Sequence, residues 1–370
     1  MCWLLFDSQS TKSFGGILLK KILFFIYSLR MGGSEKACVR MANSLVDLYD
    51  VTICTVFGSA GLEQEVSEKI NIVHKFPRFI RGFAKIVYFL KPAKAYKYLV
   101  NGNYDIEVAV GDGLESFVIS GSPNPNKYSW IHINLGENGT KRNDKSIKRY
   151  NSFKKIICVS ESNRNAFIRE MGFENKATVV YTPCDIEEIQ NKAKEYDVEF
   201  SRKTLLSVGR LETVKGFDRL INAVSMISNK DFELVIIGDG TQRTVLQNKI
   251  NRVGLSGRIK LIGEKQNPYP YIKSADALIC SSAEESFGFT LVEAMALRTP
   301  VISTKCGGVE EIIQDETQGL LCDNSVDGIK TGIELFLNNE HHIDLNKAEN
   351  RAKSFDVRNC VNRFIEIIDG

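Results

Sequence analysis

A short apolar run that stops at glycine or a small polar residue, then gives way to an amphipathic helical stretch, recurs along this chain in two blocks. In the first block the runs are 22–27, 51–57, 105–110, 128–133 and 155–159. In the second they are 204–208, 234–237, 259–262, 277–280 and the run that opens at Val301. Runs of this length read as buried strands, and their alternation with helices predicts an α/β chain with parallel sheets. Between the blocks, the strongly charged stretch 186–202 reads as a linker carrying a short helix. With 370 residues, the chain is long for one domain. The expected division is 19–185 and 186–350, with a C-terminal helix in 351–370 returning to the first domain. Residues 1–18 have no place in the pattern and are expected to be an extension outside the fold, with Leu19 as an alternative start.

Charge divides the same way. Residues 1–180 hold 25 Lys/Arg against 16 Asp/Glu, and residues 181–370 hold 23 against 29. Different partners are expected for a basic half and an acidic half. The excess is concentrated: Lys69, Lys75, Arg78, Arg81, Lys85, Lys91, Lys94 and Lys97 are interleaved with Phe76, Phe79, Phe83, Tyr88, Phe89, Tyr96 and Tyr98. Residues 141–155 add seven basic residues and one acid. Basic and aromatic residues mixed in this way suit an anionic membrane surface. No nucleic-acid-binding module is recognisable, so nucleic acid is not an expected partner.

The nine cysteines are scattered, mostly within apolar runs, and form no C-x-x-C pair. Neither a disulfide framework nor a zinc site is suggested, and a reducing, cytoplasmic compartment is expected. The sequon at Asn138 is then without consequence. The apolar stretch 17–29 is broken by Lys20-Lys21 and is too short to span a bilayer, so attachment to the inner face of the plasma membrane would be peripheral.

Chemistry gathers in the loops after the strands, the edge where open α/β sheets bind ligands. Arg210 and Lys215 flank the loop after 204–208, Arg suited to bidentate phosphate contact and Lys to a point charge. After 277–280 a polar loop carries Glu285, and Gly288, Phe289, Thr290 and Leu291 open a helix whose N–H groups suit phosphate. Glu285 and Glu293 can accept hydrogen bonds from sugar or ribose hydroxyls. In the first block Gly32-Gly33 lies between first strand and first helix, where a backbone can approach a phosphate closely. It is not G-x-G-x-x-G, so a dinucleotide cofactor is disfavoured. No D-x-D occurs, so a metal bridging a diphosphate is not indicated, and no cofactor is expected.

In combination these motifs resemble the retaining, nucleotide-sugar-dependent glycosyltransferases of the GT-B fold, family 4 type. The family's E-x7-E is matched by Glu285-Ser-Phe-Gly-Phe-Thr-Leu-Val-Glu293, followed by Ala294-Met295-Ala296 and Thr299-Pro300-Val301. Gly209-Arg210-Leu211 with Lys215-Gly216 matches its "GRL…KG" loop, Gly238-Asp239-Gly240 its "GDG" turn, and Met31-Gly32-Gly33-Ser34-Glu35 its "GGAE" loop. The likeness runs over nearly the whole chain from about residue 20. One departure is Thr182, where the family has Asn before Pro183.

The resemblance implies two Rossmann-like domains facing each other across a cleft. It implies that Arg210 and Lys215 neutralise the donor diphosphate, with Gly209 in the same loop, and that Glu293 binds the ribose. Glu285 would contact the transferred sugar, the backbone at Ile262 and Gly263 would hold the base, and Gly33 would lie near the phosphates. His132, at the end of a first-block strand, would face the donor sugar. The expected activity is transfer of a hexosyl or N-acetylhexosaminyl group from a nucleotide-sugar, UDP-linked by family frequency, to a lipid-linked or surface-polysaccharide precursor. An O-antigen or capsule precursor would be such an acceptor. The alternatives are a nucleotide-sugar epimerase or phosphorylase on the same fold, or a non-catalytic nucleotide-sugar-binding protein.

Overall fold

A computed structural model describes residues 13–14, 17–30, 32–58, 61–133 and 140–370. Two compact units emerge. One comprises the chain up to Cys158 with Ala166–Thr178 and Val361–Gly370; the other comprises Val159–Asn165 and Val179–Cys360.

The first unit opens with a short antiparallel ladder of β1 (Ser13–Phe14) and β2 (Ile17–Leu18). This is regular structure inside the stretch read from sequence as an extension; residues 1–12, 15 and 16 lie outside the described residues. The main sheet comprises β3 (Lys21–Ile26), β4 (Asp50–Phe57), β5 (Asn71–Phe76), β6 (Ile106–Val110), β7 (Lys127–Ile131), β8 (Lys155–Cys158) and β9 (Ala177–Val179). Its order is β5-β4-β3-β6-β7-β8-β9, and the ladders from β5 to β8 are parallel. Strand β5 went unread because it is an edge strand, half exposed throughout, within the basic stretch. Its residues therefore show no apolar period.

The second sheet comprises β10 (Lys203–Val208), β11 (Phe232–Ile237), β12 (Ile259–Leu261), β13 (Ala277–Cys280), β14 (Val301–Thr304) and β15 (Leu320–Cys322). It is wholly parallel in the order β12-β11-β10-β13-β14-β15. In both sheets the strand order reverses beside the first main strand, between β3 and β6 and between β10 and β13. At such a reversal, successive connections leave to opposite faces and open a crevice beyond the strand ends. The segment read as a linker is instead packed into this unit. Ile186, Ile189 and Ala193 are buried on one face of its helix, Ile186–Lys192, and Gln190 Nε2 donates to the Ala296 carbonyl at 3.1 Å. Its charged residues occupy the other face, so net composition concealed an amphipathic period.

The final helix, Val357–Asp369, begins in the second unit and ends in the first. Phe364 is fully buried there, with its ring centroid 6.0 Å from Phe24 and 5.9 Å from Trp130. Asp369 accepts from Lys20 Nζ and Tyr49 Oη, each at 2.7 Å. Burial of the aromatic outweighs the surface pair by their magnitudes. Phe364→Ala should destabilise the first unit by roughly 3–5 kcal/mol, whereas breaking the exposed ion pair with Lys20→Ala should cost about 1 kcal/mol or less. Urea denaturation followed by near-ultraviolet circular dichroism compares the two; equal losses would contradict this account.

Candidate active site

The loops after β10 and β13 leave the second sheet on either side of its strand reversal and are stitched together by backbone contacts. After β10, Gly209 N donates to the Ile237 carbonyl at 3.0 Å and Leu211 N to Asp239 at 2.9 Å, binding this loop to the turn after β11. Glu212 adds a side-chain tie, taking the Thr241 hydroxyl at 2.8 Å. A single helical turn, Thr213–Lys215, ends at Gly216, whose φ of 64° lies in the left-handed region and whose missing Cβ leaves room for the Ser281 carbonyl. Across this contact Ala283 N donates to Val214 O at 2.8 Å, and Ser281 Oγ to Lys215 O at 3.0 Å.

This stitching places Lys215 Nζ 2.5 Å from Glu285 Oε1, with side chains 26% and 14% exposed. The same carboxylate oxygen takes Ser282 Oγ at 2.7 Å, and Cys280 Sγ lies 3.9 Å away. Glu285 is fixed from behind as well. Gly308 N donates to its carbonyl at 3.0 Å, and Gly307, at φ 51°, approaches so closely that a Cβ would strike that carbonyl oxygen. Burial alone would lower the Lys215 ammonium, but the adjoining Glu285 carboxylate overrides it and holds it above the usual lysine value. Burial pushes the Cys280 thiol up, so it is not a thiolate here.

The Arg210 side chain is exposed and forms no hydrogen bond or ion pair with a described residue, although its charge acts favourably on the Glu212 carboxylate of the same loop. The same guanidinium charge acts on Lys215 in the repulsive sense. An anion between the two cations would relieve that repulsion. The helix Phe289–Ala296 starts from Gly288, which caps it at φ 105° without a side-chain hydrogen bond. Thr290 is half-buried in its first turn and Leu291 fully buried. Glu293 is only 4% exposed and accepts the Tyr269 hydroxyl at 3.0 Å, so it faces the helix Tyr269–Ser274. Ile262 and Gly263 follow the edge strand β12, with Ile262 N bonded to Ile236 O at 3.0 Å and Gly263 O accepting from Gly238 N at 2.9 Å. Ser282 and Tyr269, the partners of the two glutamates, escaped the sequence reading. Ser282 stands three residues before Glu285, a local signal; Tyr269 meets Glu293 only through packing.

In the first unit, Gly32 caps the helix Gly33–Leu45, and the Glu35 carboxylate folds over it where a Cβ would stand. A Cβ on Gly33 would meet nothing within 4 Å, so protein packing does not require a glycine there. Met31 lies outside the described residues, as do Asn138 and Gly139 of the sequon. His132 directly follows β7. Its ring packs 4.7 Å from Trp130, its Nε2 is buried without a partner among the described residues, and burial pushes it down to about 3. It is therefore a neutral imidazole at physiological pH. Sequence reading passed over Glu115, in the first turn of the helix after β6, whose carboxyl is pushed up to about 7 by burial and by the Asp112 and Glu35 carboxylates.

Similarity to known proteins accords with this geometry. The family model of glycosyl transferases group 1 matches residues 186–355, and that of glycosyltransferase family 4 matches residues 31–188. An uncharacterized glycosyltransferase of Methanocaldococcus jannaschii is 30% identical over 361 residues, which cover 93% of this chain and 96% of the relative. The chain belongs to this glycosyltransferase family. A Campylobacter jejuni enzyme is 25% identical, with 91% of this chain and 96% of the relative covered. Its name is N-acetylgalactosamine-N,N'-diacetylbacillosaminyl-diphospho-undecaprenol 4-alpha-N-acetylgalactosaminyltransferase. Among solved structures, Anabaena HepE in complex with UDP and glucose superposes with a TM-score of 0.76 at 21% identity, over 95% of this chain and 100% of that one. The two parallel-sheet units are those of the GT-B glycosyltransferase fold.

For this glycosyltransferase, the raised Glu115 has a consequence for stability. Its carboxyl stays protonated in the folded chain while an unfolded chain, at the ordinary value of 4.5, has already lost the proton. The folded state then binds more protons, so stability falls as pH rises from 4.5 to about 7 and levels off above. Glu115→Gln should remove this slope, raising stability at pH 8 by up to ~3 kcal/mol and leaving pH 4.5 nearly unchanged. Denaturant titrations at the two pH values test it; a destabilised variant at pH 8 would show that the ionised carboxylate is needed.

Proposed function

We propose that this glycosyltransferase moves a hexosyl or N-acetylhexosaminyl group from a UDP-linked donor to a lipid-linked glycan precursor, with retention of anomeric configuration. The observation that carries the proposal is the half-buried Lys215–Glu285 pair at the strand reversal, with the exposed Arg210 guanidinium on the loop of Lys215, in no ion pair with a described residue. Two relatives support its chemistry. The Campylobacter jejuni enzyme is named for a diphospho-undecaprenol acceptor, and the Anabaena structure holds UDP and glucose.

In this reading the donor diphosphate binds against Arg210 and Lys215, with the N–H groups of residues 288–291 on its other side. Glu293 accepts the ribose hydroxyls, and backbone at Ile262 and Gly263 meets the base. Gly209 and Gly33 let backbone come near the phosphates. Glu285 turns a carboxylate toward the transferred sugar once Lys215 has exchanged part of its contact for phosphate, and neutral His132 can donate a hydrogen bond to a sugar hydroxyl. The bond between the anomeric carbon and the phosphate oxygen then breaks, and negative charge grows on that oxygen. Both cations stabilise this charge more in the transition state than in the bound donor. An acceptor hydroxyl attacks from the same face, its proton passes to the departing phosphate oxygen, and UDP leaves with the electron pair. These cations need no metal beside them, so chelation by EDTA should leave turnover unchanged.

The acceptor side falls to the basic first unit, at the anionic cytoplasmic face of a membrane. Among the described residues no helix is long and apolar enough to cross a bilayer, so contact would be peripheral. Lys215→Ala and Arg210→Ala should each lower kcat by about 10²-fold or more, and Glu285→Ala should also impair transfer. Release of UDP from a panel of UDP-sugars in the presence of undecaprenyl-diphosphate glycans measures this. Proton NMR of the product's anomeric signal reads the stereochemistry. Unchanged turnover in the lysine or arginine variant, or an inverted product, would defeat the mechanism.

A further inference from the structure

The stretch from 69 to 104 contains eight Lys/Arg and no Asp or Glu. It folds as strand β5, the helix Phe83–Val87 and the helix Pro92–Leu99. The first helix turns Phe83 and Val87, four residues apart, into the core of the first unit. Ile86, on the flank of that buried face, is left outside it, and the turn after the helix carries two more apolar side chains with it. Ile86 is 63% exposed, Phe89 90% and Leu90 38%. This is a contiguous apolar projection, of the kind that soluble surfaces avoid unless something covers it.

Its backbone is already satisfied. Tyr88 N donates to Ala84 O at 3.0 Å, Phe89 N to Ile86 O at 3.1 Å and Leu90 N to Val87 O at 2.9 Å. A turn with its N–H groups paired internally can enter a medium of low polarity without leaving donors stranded. Along the chain it is flanked by Arg78, Arg81 and Lys85 on one side and by Lys91, Lys94 and Lys97 on the other, all exposed, and none of the six forms an ion pair with a described residue. An apolar tip flanked in the chain by unneutralised cations complements anionic headgroups around an acyl interior. Protein partners of opposite charge would complement these cations but not the tip.

The projection is fixed to the strand-end edge of its own sheet. The Tyr88 ring lies 5.0 Å from that of Phe117, and the Arg149 guanidinium covers the same ring at 5.6 Å. Phe117 belongs to the helix Leu114–Ile119, which starts at the end of β6. Arg149 also donates to the Asp112 carbonyl at 3.3 Å, beside Glu115.

We propose that residues 86–90 form a wedge that inserts at the headgroup–acyl boundary of an anionic bilayer, with the six cations seated on lipid phosphates. Through Tyr88 and Phe117 the wedge orients the strand-end edge of the first unit toward the bilayer, where a lipid-linked acceptor would be presented. The acceptor part rests on the function proposed above; the docking itself does not.

The test uses the full chain and vesicles of phosphatidylcholine with or without phosphatidylglycerol. Wild type should float with the anionic vesicles only, and less as salt rises. The double variant I86D/F89D should lose partitioning by at least about tenfold, and K91E/K94E/K97E should lose it as well. In Phe89→Trp, the indole emission should shift to the blue on vesicles and be quenched by brominated lipid. KM for a bilayer-embedded acceptor should rise in I86D/F89D, while kcat on a soluble short-chain acceptor stays that of wild type. Undiminished flotation of I86D/F89D, or indole emission of Phe89→Trp that is unchanged on bound vesicles, would overturn the wedge. So would a dimer in sedimentation that dissolves in I86D/F89D, since a second copy would then cover the tip. Flotation without any sugar transfer would retain the wedge and defeat the proposed function; transfer to soluble acceptor without flotation would do the reverse.

Discussion

The Lys215–Glu285 ion pair spans the two loops that leave the second sheet on either side of its strand reversal, and the surrounding structure is arranged to hold it. A lysine 26% exposed beside a carboxylate 14% exposed has lost much of its water. Ser282 Oγ supports the pair by donating to the same carboxylate oxygen, and the close backbone approaches at Gly216 and Gly307 hold the two loops in position. Removing either partner would leave an unpaired charge in a half-buried place. The pair is thus a costly feature for stability alone, and its location at the ligand edge of a parallel sheet accords with a site kept for chemistry.

Arg210 completes the electrostatic picture by remaining unpaired. Arg210 and Lys215 repel each other on one loop, a repulsion that Glu285 and Glu212 offset in part and that a bound anion would relieve further. Glu293 behaves differently from Glu285, although the two share one sequence motif. Eight residues apart, they emerge from a loop and from a helix, and the helix turns Glu293 toward Tyr269 while the loop turns Glu285 toward Lys215. The motif's spacing reflects this change from loop to helix.

The first unit holds the opposite kind of arrangement. After its strands β6 and β7, burial shifts two groups toward their neutral forms: His132 is pushed down to about 3 and Glu115 up to about 7. Its cations lie on the surface around residues 78–97, away from carboxylates in the sequence, so their attraction is directed outward.

Much of this was legible in the sequence. Short apolar runs ending at glycine or a small polar residue marked β3, β4, β6 to β8 and β10 to β14, because burial on both faces of a parallel sheet demands them. The described strands outside those runs are short or exposed, where that demand is relaxed: β1 and β2 have two residues each, β9 and β15 have three, and β5 is an exposed edge. Arg210, Lys215 and Glu285 could be chosen because strand-end loops are where such residues are free of packing duties. What sequence could not decide was pairing across the chain: that Lys215 meets Glu285 seventy residues later, that Glu293 meets Tyr269, and that Glu115 is enclosed. Nor could it separate the outward Ile86 and Phe89 from the inward Phe83 and Val87. Local composition fixes which residues must avoid water. Only the register of strands and the closure of loops decides which polar groups are drawn in with them, and hence which charges are paired, shifted or left free.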